Sequence, residues 1–69
     1  LLDNGADADK PDNRGRTPLY IAAQKGHVKI VSILTQENAD LNKADDEQKT
    51  PLWIAARKGH VKIVQTLIE

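Results

Sequence analysis

Sixty-nine residues without a single cysteine leave no disulfide and no thiolate metal site to staple the fold. A chain of this size buries only about 60% of its unfolded surface, so few of its apolar residues can be left idle. Ten basic and ten acidic side chains cancel to a net charge of zero, which argues against general adhesion to nucleic acid or to an anionic membrane, and no apolar run is long enough to span a bilayer.

Taken in chain order, residues 1–11 make sense only against the rest of the chain. Sliding the chain along itself by 33 residues aligns 36 pairs, of which 19 are identical. The chain is therefore a tandem repeat, and a repeat buries its apolar face mainly against its neighbours. Residues 1–11 read as the tail of an earlier copy, with Gly5 opposite Asn38 and Ala6–Asp7 opposite Ala39–Asp40. Residues 12–44 read as one complete copy, and residues 45–69 as a second that stops inside its last helix. Terminal repeats normally turn a polar face outward. Leu1–Leu2 and Ile68 do not, which predicts an excerpt of a longer array, weakly folded or self-associating through apolar ends.

The complete copy opens at Asp12-Asn13-Arg14-Gly15, with Asp first and Gly fourth as a type I turn prefers. Thr17 supplies an N-cap oxygen, and Pro18 stands at the first helical position, where a missing N–H is harmless. Leu19, Ala22 and Ala23 share one face, the alanines allowing close helix approach. Gly26 stops this first helix, predicted over 18–25, because a left-handed backbone costs glycine nothing. A second helix starts near His27. Val28, Ile30, Val31, Ile33 and Leu34 form its apolar stripe, Lys29, Ser32 and Gln36 its wet side, and Asn38 its left-handed stop. The second copy repeats each step, with Thr50, Pro51, Gly59, Val61, Ile63, Val64 and Leu67 in the matching places.

The period, the Thr-Pro-Leu-x-x-Ala opening at 17 and 50, the Gly-His step at 26 and 59 and the Ala-Asp exit at 6 and 39 resemble the ankyrin repeat, over all 69 residues. The resemblance implies an all-α solenoid of helix-turn-helix units with projecting β-turn fingers. It also implies a non-catalytic scaffold for protein–protein interaction, needing no cofactor, and an intracellular home. The chain departs from the family pattern at Tyr20 and Trp53, which stand where histidine is usual. It departs again at Gln48, where the turn glycine Gly15 has its counterpart. A left-handed Gln48 costs roughly 1 kcal/mol, so the second finger should be looser or reshaped. Thr35 replaces the apolar residue found at positions 2 and 68, weakening the core there.

Catalysis finds no support in the residues. There is no nucleophile elbow, phosphate loop or helical zinc motif. Asp7, Asp12, Asp40 and Asp45 recur at the repeat period and suit turn capping better than acid–base work. His27 and His60 cannot share one metal, because stacked helices lie about 8–10 Å apart and zinc holds its ligands at about 2 Å. The resemblance implies instead that these histidines brace the loop between paired helices.

In proteins of the family, partners meet the finger tips and the exposed face of the first helix. Mapped here, those positions are Asn13, Arg14, Arg16, Tyr20, Gln24 and Lys25, then Asp46, Glu47, Lys49, Trp53, Arg57 and Lys58. Tyr20 and Trp53 are the only aromatics, and aromatics with arginine dominate interface hot spots. Either ring can equally serve as filler between repeats. Trp53 and Arg57 are four apart on a helix, so guanidinium and indole can meet. The basic strip favours an acidic or mixed-charge protein segment. Two alternatives remain at this point: a small anionic or nucleotide-like ligand at Trp53, Arg57 and Lys58, and a passive spacer in a longer array. Lys29 and Lys62, repeated at the start of the second helices, read as solvation or as an outer contact surface.

Overall fold

A computed structural model describes residues 9–69; the roles expected of Leu1–Leu2 and of Gly5, Ala6 and Asp7 lie outside that range. Four helices follow in order: α1 (Pro18–Lys25), α2 (Val28–Gln36), α3 (Pro51–Lys58) and α4 (Val61–Ile68). There is no strand among the described residues. Nor is any helix among them long and apolar enough to cross a membrane.

Each copy is started by the devices its sequence specifies. Asp12 organises the first turn. Its backbone carbonyl accepts from Gly15 N–H at 3.0 Å, while its Oδ1 accepts from Arg14 and Arg16 N–H, each at 2.9 Å. Asp45 does the same for Gln48, Glu47 and Lys49. Asp40 closes a smaller turn onto Asn42 N–H at 2.9 Å. These recurrent aspartates are turn builders, whose side chains replace backbone partners the turn leaves open. The Asp12 carboxyl is held below its ordinary range, chiefly by the Arg16 backbone N–H it accepts.

Thr17 and Thr50 then cap α1 and α3 by accepting from Tyr20 and Trp53 N–H at 3.2 and 3.1 Å. Gly26 and Gly59 terminate the same helices in the left-handed region, at φ 78° and 76°. Asn38 ends the exit from α2 at φ 65°, so that Ala39 N–H reaches back to the Leu34 carbonyl at 3.1 Å.

Gln48 takes the left-handed backbone expected of it, at φ 69°. The finger keeps the bonding of the first one, so the strain is absorbed without reshaping the turn. Gln48→Gly should therefore raise stability by up to about 1 kcal/mol, read as a higher thermal midpoint by circular dichroism. An unchanged or lower midpoint would refute the strain.

The helices pack as two layers: α1 against α3 on one side, α2 against α4 on the other, each pair closed within its copy. Leu19, Ala22, Ala23, Val31, Leu34, Ile54, Ala55 and Ile63 are buried together. Ala22, Ala23 and Ala55 bring α1 and α3 close, and each fully buried leucine or isoleucine contributes about 1.5–3 kcal/mol. The stripe of α2 is narrower than its composition suggested, because Val28 and Ile33 are exposed at its margins. Thr35 sits half-buried and returns its hydroxyl to the Ser32 carbonyl at 2.8 Å, which satisfies the polar group that replaces an apolar one.

Neither histidine side chain caps its own helix, and the inter-helix loop that His60 braces is the one between α1 and α2 of the preceding copy. His60 Nε2 lies 3.2 Å from the Gln24 carbonyl of that copy, with its ring against Gly26. It ties copy to copy. His27, one period earlier, is exposed.

Candidate functional site

The fingers and the α1/α3 layer form one concave groove of about 460 Å³. The two fingers are joined through the backbone, Asp46 N–H donating to the Arg14 carbonyl at 3.0 Å. This bond fixes their spacing, so side chains from both copies face one depression. Of the twelve residues named from sequence, ten line it: Arg14, Arg16, Tyr20, Gln24, Asp46, Glu47, Lys49, Trp53, Arg57 and Lys58. Asn13 stands exposed at a finger tip. Lys25 turns away toward a second, more apolar depression with Ile21, Ala22 and Ile30. Asp45 and Ile54 join the groove without having been singled out.

Tyr20 and Trp53, equivalent by period, end in different environments. Tyr20 is 4% exposed and belongs to the core. Burial raises its phenol pKa, and the Asp45 carboxylate beside it adds to the effect. Trp53 is 39% exposed. The second copy covers Tyr20, whereas the Trp53 ring is open among the described residues. The aromatic pair expected from the sequence is thus one floor residue and one open face.

Two cations lie over the indole. Lys49 Nζ is 4.8 Å and Arg57 Cζ 5.5 Å from the ring centroid. The Arg57 contact follows from helical spacing. The Lys49 contact was not anticipated, because Lys49 precedes the α3 N-cap, where helical spacing gives no guide. Lys49 also pairs with Glu47 at 2.9 Å, and that hydrogen bond raises its pKa. Arg16 Nε pairs with Asp12 at 2.9 Å. Both basic groups are thus engaged in holding their fingers. Among the described residues, Arg14, Arg57 and Lys58 have no such ion pair.

Among the described residues, no group of three or more His, Asp or Glu is placed to hold a metal ion. The groove is an open depression lined mainly by polar and charged side chains.

A family model for ankyrin repeats in three copies matches residues 1–69. The chain belongs to the ankyrin repeat family. Members of this family generally mediate protein–protein interaction. Two curated ankyrin-containing relatives share sequence with part of it. NF-kappa-B inhibitor alpha of Gallus gallus is 56% identical over 36 residues, spanning 52% of this chain and 11% of that protein. Potassium channel AKT1 of Arabidopsis thaliana is 50% identical over 36 residues, again 52% of this chain but 4% of that protein. The ankyrin chain therefore covers a small part of either relative, and those two proteins differ widely in what their names describe.

Proposed function

We propose that this ankyrin chain is a protein-binding module that holds a segment of another protein in the groove between its fingers and α1/α3, with no chemical step. The observation supporting this reading is the convergence of side chains from two copies on one open depression. The buried alanines and the Asp46–Arg14 backbone bond fix that geometry before any partner arrives, which lowers the ordering cost of association. The relative NF-kappa-B inhibitor alpha is named for acting on another protein, which agrees with a protein partner.

A stacked nucleotide base fits the site less well. Lys49 and Arg57 already lie against the Trp53 ring, so a base would have to displace a cation to reach it.

The test is a comparative capture from cell lysate on the chain and on a variant carrying Arg14→Glu, Trp53→Ala and Arg57→Glu, with equal helicity confirmed by circular dichroism. Arg16 is left intact because its ion pair with Asp12 belongs to the finger. A protein retained by the chain and lost by the variant is the expected result. Equal retention on both would move the interface elsewhere, for example to the outer helices bearing Lys29 and Lys62.

A further inference from the structure

The charges of the groove divide into those engaged by the fold and those left over. Arg16 is held by Asp12 and Lys49 by Glu47. Asp45 accepts two backbone N–H groups, from Glu47 and Lys49, which fix its carboxylate in the turn without cancelling its charge. Outside those two ion pairs, the described groove residues carry Arg14, Arg57 and Lys58 against Asp45 and Asp46. A chain neutral overall therefore leaves a small positive surplus in this groove.

Arg57 is the best placed of these cations. Its guanidinium carbon lies 5.5 Å from the Trp53 ring centroid, held over the indole. A guanidinium can rest on a ring and still present N–H donors to a planar acceptor. The ring restricts the side chain beforehand, so less freedom is lost when those donors are used. Two parallel N–H bonds from a fork match the two oxygens of a carboxylate.

We infer that Arg57, braced on Trp53, is a receptor for a partner's Asp or Glu carboxylate, and that the groove selects an acidic peptide segment. The inference rests on the groove being the binding surface. Lys58 and Arg14 favour further acidic side chains on the same segment, whereas the carboxylates of Asp45 and Asp46 set a limit on how far the acidic run extends. The exposed part of Trp53 offers apolar area beside the anchor.

The probe is a phage-displayed random dodecapeptide library selected on the immobilised chain, followed by titration of an enriched synthetic peptide using Trp53 fluorescence, the chain's single tryptophan. Enriched peptides should carry Asp or Glu well above library frequency. Arg57→Gln should weaken the chosen peptide about tenfold or more, as loss of a charged hydrogen bond does. Arg57→Lys keeps the charge and discards the fork, and should lose nearly as much; full retention by Arg57→Lys would overturn the carboxylate receptor. Enriched peptides that are neutral or basic, lost with Trp53→Ala but indifferent to Arg57→Gln, would overturn the acidic selectivity and leave the groove reading standing. No peptide dependent on groove residues would overturn both. Stoichiometric Trp53 quenching by AMP or ATP, without any peptide binding, would overturn the inference in favour of a nucleotide ligand. Because Arg57 is exposed, these variants are not expected to disturb the core, and circular dichroism verifies it.

Discussion

Leu19→Ala should cost about 2–5 kcal/mol, while the same change at Leu52, its counterpart one period later, should cost about 1 kcal/mol or less. The two leucines occupy identical places in the repeat, and sequence alone gives no reason to rank them. The structure does: Leu19 is 0% exposed and Leu52 is 36% exposed. Truncating Leu19 opens a void in the core that α1 shares with α2 and α3, in the cluster that also holds Ala22, Ala23 and Ile54. Truncating Leu52 removes atoms already partly in water. A single core in so short a chain rarely supplies more than about 3–5 kcal/mol, so Leu19→Ala should leave it largely unfolded at room temperature. Urea titrations followed by circular dichroism check the pair. Equal shifts for both variants would contradict the one-sided packing on which the contrast between Tyr20 and Trp53 also depends.

That asymmetry marks what could be read from the sequence. The Thr-Pro start, the glycine stops and the Asp-led turns are local devices, and each works within a few residues of itself. They appear in the structure where the residues place them, down to the left-handed Gln48. Exposure is not local in a solenoid, since it depends on which neighbour lies on which side. Tyr20 and Trp53 therefore shared one expectation and received two environments. The His60 contact with the Gln24 carbonyl was hidden for the same reason: it joins residues 36 apart, and intra-repeat reasoning keeps partners within one copy. The groove residues were largely legible because their positions follow from the repeat register. Which of their charges remain uncommitted was not, because Arg16–Asp12 and Lys49–Glu47 depend on side-chain geometry in turns.

Gly15→Ala should destabilise the chain by about 2 kcal/mol, roughly 1 from the left-handed backbone and about 1 from a broken hydrogen bond. Gly15 has φ 77°, and a Cβ there would lie 2.9 Å from the Asp46 backbone nitrogen. That nitrogen donates to the Arg14 carbonyl, so the methyl group would force apart the bond that sets the spacing of the fingers. Gly59→Ala separates the two contributions. It has a nearly equal φ of 76° but open space around the added carbon, and should cost only about 1 kcal/mol. The Asp46 amide should exchange with solvent faster in Gly15→Ala and at an unchanged rate in Gly59→Ala. Equal destabilisation with no change at Asp46 would mean that the fingers are not held by this approach. Gln48 shows why the comparison matters: it has the same kind of left-handed backbone at φ 69° and still keeps its turn. Glycine at position 15 is required less by its own turn than by the next finger, whose backbone passes within bonding distance. The groove's shape is therefore sensitive to one hydrogen atom at a residue that contributes no side chain to it.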